Sequence, residues 1–279
     1  MKIGSTDITN PRIGAVQINK VFIGTDKIYP NTDSEFIFKI DTSLGDGLNQ
    51  YRFTPSHVGA VNYIIDWGDS STTVVTSAVS STHSYSTSGI YEIKINVTSG
   101  ISNYKLGFNS PDYAKPFIVT NAGTYKPSDF SGAFYCIGGC AGFIDVADTL
   151  FLRNNATSCF QAIQLLNLKL NLDNCTNLFH AFRGATSSDW SFLLDTDIPF
   201  ISNMGGMMSF FSNNFDSTTY QLLLIHWTGW NGTTATKPLQ SNVPAHFGSA
   251  QYEIGGQSED ARNYLTGTLG WTITDGGGI

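Results

Sequence analysis

The chain has 279 residues, 41% of them apolar, which is enough to bury a substantial core, while only 13% are charged, about half the usual quarter of a globular chain. Fifteen Lys and Arg stand against 22 Asp and Glu, a net charge of −7 with no basic block, so a nucleic-acid partner is not expected. No run approaches the roughly 18 unbroken apolar residues of a bilayer span, so membrane insertion is not expected either.

Met1-Lys2-Ile3-Gly4-Ser5-Thr6-Asp7 has neither the apolar stretch nor the cleavage site of a secretory signal, which favours a protein assembled without export. A short phrase occurs twice at an offset of 20, as Lys2-Ile3-Gly4-Ser5-Thr6-Asp7-Ile8 and Phe22-Ile23-Gly24-Thr25-Asp26-Lys27-Ile28, each a β-rich run around a Gly-Ser/Thr turn. Residues 1–33 are too few to fold alone. They resemble the N-terminal anchoring segments of phage fibres and tail-associated proteins, which implies docking on other virion proteins. An edge hairpin of the next domain is the other reading.

Residues 34–100 read as all-β. Glu35-Phe36-Ile37-Phe38-Lys39-Ile40 alternates, Val61-Asn62-Tyr63-Ile64-Ile65-Asp66-Trp67-Gly68-Asp69 follows, and Gly89-Ile90-Tyr91-Glu92-Ile93-Lys94-Ile95-Asn96-Val97 closes the set, a pattern that predicts a sandwich. Asp66-Trp67-Gly68-Asp69 with His83-Ser84-Tyr85 and Gly89-Ile90-Tyr91 resembles the polycystic-kidney-disease (PKD) Ig-like module, with Ser70 where that family usually has Gly. Asp66, Asp69 and His83 could serve catalysis or a metal if they converged. The simpler expectation is that the carboxylates accept backbone N–H bonds in a turn while His83 packs beside Tyr85.

Tyr104, Phe108, Tyr113, Phe117 and Tyr125 are expected in the first strands of a repeat region, with Pro111, Pro116 and Pro127 at strand edges. No flexible linker separates this region from the sandwich. From about Ser128 to Trp230 one phrase recurs: Asp129-Phe130-Ser131-Gly132-Ala133-Phe134, Ser158-Cys159-Phe160-Gln161-Ala162-Ile163, Asn177-Leu178-Phe179-His180-Ala181-Phe182 and, more loosely, Gly206-Met207-Met208-Ser209-Phe210-Phe211. Anchors at Phe130, Phe160 and Phe179 lie 30 and 19 residues apart, within the range of solenoid rungs that stack to bury a common apolar column. Leu165-Leu166-Asn167-Leu168-Lys169-Leu170-Asn171-Leu172 alternates like a strand with leucine on one face.

These phrases resemble the BspA-like leucine-rich-repeat proteins of bacterial and phage surfaces. Residues 215–227 resemble the family's last helical turn and residues 261–277 its C-terminal cap. The implied fold is mainly β: an N-terminal β segment (1–33), a PKD-like Ig-fold sandwich (34–100) and an irregular leucine-rich-repeat solenoid with a C-terminal cap (101–279).

The cysteines are Cys136, Cys140, Cys159 and Cys175. Core packing beside the repeat anchors is the favoured role, a Cys136–Cys140 disulfide the next, and the loose zinc-like spacing the last. None of the five histidines falls in an HExxH spacing, there is no Gly-x-Ser-x-Gly elbow, and the glycine-rich words lack the setting of a phosphate cradle. No catalytic, cofactor or metal residues are therefore assigned, and the chain reads as a non-enzyme. Function falls to surface contact: Trp190, Trp230 and Tyr252, set among Ser, Asp, Gly, Asn and Thr, are candidates to grip a sugar or protein, while Trp227 and Trp271 lie in apolar runs and are expected in the core. The resemblances imply a bacteriophage virion structural protein, oligomeric, adhering to a bacterial surface protein or polysaccharide. The alternative is a bacterial cell-surface adhesin, extracellular.

Overall fold

A computed structural model describes residues 35–44, 49–57, 62–76, 81–99, 104–107, 117–122, 130–131, 133–134, 143–146, 149–209 and 215–279, with short strands between 2 and 29. Those strands form three antiparallel hairpins: β1 (Lys2–Ile3) with β2 (Thr6–Asp7), β3 (Arg12–Ile13) with β4 (Val16–Gln17), and β5 (Val21–Ile23) with β6 (Asp26–Tyr29). The middle hairpin falls on Ile13-Gly14-Ala15-Val16-Gln17-Ile18, so the phrase expected twice occurs three times.

The chain is mainly β. β7 (Glu35–Asp41) alternates buried and half-buried residues along its whole length, as its sequence pattern predicts. It pairs antiparallel with β12 (Ile90–Ser99), which pairs with β9 (Asn62–Asp66), itself flanked by β10 (Thr72–Val75). A second sheet joins β11 (Ser81–Ser84), β8 (Gln50–His57) and β13 (Tyr104–Gly107). Phe36, Phe38, Ile40, Tyr63, Ile65, Ile93 and Ile95 are buried on the inner face, and Tyr51 of β8 meets Phe38 with ring centroids 6.0 Å apart.

The first sheet takes in strands from both sides of the boundary expected near residue 100. β14 (Phe117–Asn121) pairs antiparallel with the free side of β7, and the sheet then changes sense: β15 (Phe143–Val146), β17 (Gln164–Leu165) and β19 (Thr186–Ser187) follow in parallel. A second parallel pair, β16 (Leu150–Asn155) with β18 (Leu170–Asn177), forms another face. The single strand expected over 165–172 is instead broken between β17 and β18, where the chain turns from one sheet to the other and still buries Leu165, Leu168, Leu170 and Leu172.

Between these strands the connecting turns also stack. Phe134 N–H bonds Cys159 C=O, Phe160 N–H bonds Ala181 C=O, and Phe182 N–H bonds Met207 C=O. The equivalent positions are therefore Phe134, Phe160, Phe182 and Met208, and this corrects the expected anchors at Phe130, Phe160 and Phe179. Phe130 belongs with Ala156 and Leu178, all buried, whereas Phe179 is 36% exposed. The second copy begins at Asn155 rather than Ser158, and the fourth at Asn203 rather than Gly206. Asn155, Asn177 and Asn203 occupy one corner, and each side chain accepts the N–H two residues on, from Thr157, Phe179 and Gly205. Such Asx turns set the bend at these three levels.

Cys159 fills the fully buried position shared with Ala181 and Met207, in keeping with a core-packing role. Cys175, on β18, is also buried and unbridged, but it pairs with Asn154 of β16 and so does not match Cys159. Burial pushes its thiol pKa up to about 11. Cys136 and Cys140 lie outside the described residues.

The last third adds α1 (Ser217–Thr228), opened by the Asp216 carboxylate accepting Thr219 N–H at 2.7 Å, and α2 (Gln257–Asn263), which runs into a π-helical turn at Tyr264–Thr268. The parallel stack continues beneath them. Met204 bridges Ala245, and β20 (Pro244–His246) pairs with β21 (Thr272–Thr274). Trp227 and Trp271 are buried as expected, at 1% and 4% exposure.

Phe160 sits between two parallel rings, its centroid 5.4 Å from Phe134 and 5.5 Å from Phe182, and is fully buried. Phe160→Ala is expected to cost about 3–5 kcal/mol of unfolding free energy in urea denaturation. A loss below about 1 kcal/mol would show that the column does not carry the stack.

Candidate functional site

Asp66 and Asp69 shape a tight turn, and His83 of β11 closes against it. Asp66 Oδ1 accepts Gly68 N–H at 2.9 Å, and Asp69 Oδ1 accepts both the N–H and the hydroxyl of Ser71. His83 Nε2 lies 2.7 Å from Asp69 Oδ2 and 3.4 Å from Ser71 Oγ. One ring nitrogen thus faces both the acid and the hydroxyl, and a relay through the two nitrogens of an imidazole cannot form this way. The Ser71 hydrogen bonds, helped by His83, hold the Asp69 carboxyl down at about 2 against burial. His83 stacks on Trp67 at 5.0 Å and meets Tyr85 edge-on at 4.6 Å. Gly68 is required because a Cβ there would come within 2.5 Å of the Glu92 carbonyl oxygen. Ser70, the departure from the PKD pattern, has φ 73°.

Of the three expected contact residues, the structure places one in a surface recess. Trp190 is corrected: it is only 2% exposed, standing edge-on to Phe182 and Phe215. Its polar neighbours Ser188, Asp189 and Ser191 turn outward while the indole closes the ring column, and a large apolar ring gains more by that burial than by exposure. Tyr252 is half-buried, with the Arg262 guanidinium over its ring at 4.9 Å. Trp230 is half-buried and lines a shallow groove of about 440 Å³.

The groove is built where the Gly229–Asn231 turn after α1 meets α2. Trp230 and Tyr264 stand with ring centroids 6.1 Å apart, and Thr233, Thr234, Asp260, Asn263 and Thr268 surround them. Hydroxyls, an amide and one carboxylate around two rings suit contact with a polar, hydroxyl-bearing surface. Asp260 and Asn263 reach this place through α2, 30 residues beyond Trp230, and nothing in their local sequence marks them.

α2 is fixed from below by a buried ionic triad. Asp275, its side chain 4% exposed, accepts from Arg262 Nε at 2.7 Å and from the Tyr220 hydroxyl at 2.6 Å. Burial opposes the charge, but the Arg262 and Tyr220 hydrogen bonds outweigh it and hold the carboxyl below the usual range. The same contact tightens α1, α2 and the final strand into one body.

His226 Nε2 lies 3.2 Å from Thr196 C=O, and burial together with nearby Arg183 and His246 lowers the pKa of His180. Among the described residues no group of three or more His, Cys, Asp or Glu side chains converges as a metal site, and no helix is long and apolar enough to cross a membrane. Comparison of the chain with protein-family models, with curated proteins and with solved structures finds no match.

Two outcomes are expected of this arrangement. Ser70→Gly relieves a left-handed backbone that costs a non-glycine residue about 1 kcal/mol, so its thermal midpoint rises; an unchanged or lowered midpoint would contradict the turn geometry. Asp275→Asn leaves Arg262 without its carboxylate and lowers stability at pH 7 by about 3 kcal/mol. Because folding depresses the Asp275 pKa, the wild-type advantage is complete above the ordinary carboxyl pKa of 3.8 and disappears as pH falls through the lower folded value. The gap between denaturation curves of the two proteins should therefore be equal at pH 7 and 5 and begin to narrow at pH 3, and a constant gap would refute the assignment.

Proposed function

We propose that the chain is a non-enzymatic structural protein of a bacteriophage virion, a head or tail fibre or decoration component that adheres to the host surface or its glycans. The observation that carries this reading is the parallel stack: turn after turn bonded to the next, an interior filled with rings, and a charge-poor exterior. Such a body is a rigid support whose available chemistry is contact.

The finer architecture is part of the proposal. Residues 34–100 form a PKD-like Ig-fold sandwich, supported by the Trp67–His83–Tyr85 cluster and its Asx turns. Residues 101–279 form a BspA-like leucine-rich-repeat solenoid with a C-terminal cap, supported by the recurrent asparagine corner and phenylalanine column. Residues 1–33 dock on other virion proteins in a homo-oligomer. Each of their hairpins pairs only within itself among the described strands, which suits addition to a neighbouring sheet edge. The BspA-like repeats favour a second reading, a bacterial cell-surface adhesin with the same modules.

Fractionation of the producing culture separates the two. Mass spectrometry should find the chain in purified particles, in multiple copies, and residues 34–279 expressed alone should fail to enter particles. Recovery solely from the cell envelope would install the adhesin reading, and recovery from neither fraction would remove both.

A further inference from the structure

A second recess, distinct from the Trp230 groove, opens between the middle of β18, the 197–200 segment and the 237–238 loop that follows α1. Its volume is about 350 Å³, at the small end of the range of roughly 300–1,000 Å³ for small-molecule sites. Trp227 lies at its base, 1% exposed, with an indole Nε1 that has no hydrogen-bond partner among the described residues. Phe200 stands at its mouth with 53% of its surface exposed. On the polar side, Asp197 Oδ1 is held by Lys237 Nζ at 2.6 Å, and Asp173 and Asn174 complete the rim.

We propose that this pocket binds one neutral pyranose sugar unit. A pyranose has an apolar C–H face and a rim of hydroxyls that both donate and accept. The Phe200 ring offers the first a flat apolar partner, while two carboxylates, an amide and an ammonium offer the second both kinds of hydrogen bond. The charge inventory selects the class. Two carboxylates against one ammonium repel a phosphate, sulfate or uronate, whereas Asp197 is already engaged by Lys237 and a single exposed ring makes no cage for a quaternary amine. The proposal deepens the adhesion reading and rests on it for the origin of the sugar, a bacterial surface polysaccharide.

The test uses the full chain with a panel of neutral monosaccharides and their short oligomers, screened by saturation-transfer NMR and then titrated by calorimetry. At least one sugar should bind with a dissociation constant on the order of 1 mM or tighter. Phe200→Ala and Asp197→Asn should each weaken it by about tenfold or more; because Phe200 is exposed, Phe200→Ala should melt like the wild type. No binding across the panel, or equal binding by wild type and Phe200→Ala, overturns the pocket. Binding lost in Trp230→Ala but kept in Phe200→Ala overturns it while leaving adhesion standing. Binding lost in Phe200→Ala, by a chain found in neither particles nor envelope, upholds the pocket and removes the adhesion reading.

Discussion

The structure depends on one constraint, the parallel register that bonds each turn to the turn above it. Paired strands lie about 4.8 Å apart, so side chains at equivalent positions meet at nearly that spacing whatever they are. The nearly parallel rings of Phe134, Phe160 and Phe182, 5.4 and 5.5 Å apart with interplanar angles of 4° and 8°, express that spacing in side chains. The constraint reaches the backbone as well. Ser158, His180 and Gly206 share one place in successive turns and all have left-handed φ, at 55°, 56° and 61°; Ala162 and Gly184 share another, at 57° and 66°. A conformation unfavourable for Ser, Ala and His is tolerated because its neighbours in the stack impose it. At Gly206 the constraint becomes steric too, since a Cβ would come within 2.4 Å of the His180 ring.

A stack of this kind has two ends, and each is closed differently. At one, β14 turns the parallel sheet into the antiparallel one by pairing with β7, so the antiparallel sheet continues directly into the first level. Toward the other, the column gives way to rings set at steep angles: Trp190 edge-on to Phe182, Phe215 edge-on to Trp190, then Phe247 between Tyr220 and Trp227. The edge-on contacts end the translational repeat, and α1 and α2 cover what remains, tied down by Tyr220 and Arg262 on Asp275.

Much of this was legible in local sequence. Alternation marked β7, β9 and β12, and the Asp66–Asp69 phrase marked its turn. The register of the repeats was not legible, because Phe179 and Phe182 are equally apolar and only the hydrogen bonding decides which one faces inward. Trp190 misled for a related reason: its neighbours in sequence are polar, but its neighbours in space are Phe182, Phe192 and Phe215. The union of the antiparallel sheet and the stack rests on pairing between residues about 80 apart, and the Asp197–Lys237 rim on residues 40 apart. No local pattern carries such distances.

The scarcity of charge follows from the same architecture and bears on the proposed adhesion. Asn155, Asn177 and Asn203 spend their side-chain oxygens on the chain's own turns, and several ions pair internally, as in Arg262–Asp275 and Lys237–Asp197. On the proposed reading, recognition relies on rings, hydroxyls, amides and the few charged groups already paired within the chain, contacts that are individually weak and little affected by salt. Weak neutral contacts become firm attachment only when many copies engage together at high effective concentration. On the proposed reading that multiplicity comes from the leading hairpins, so the rigid stack and the docking segment answer one need: to present a modest binding surface many times, in fixed orientation.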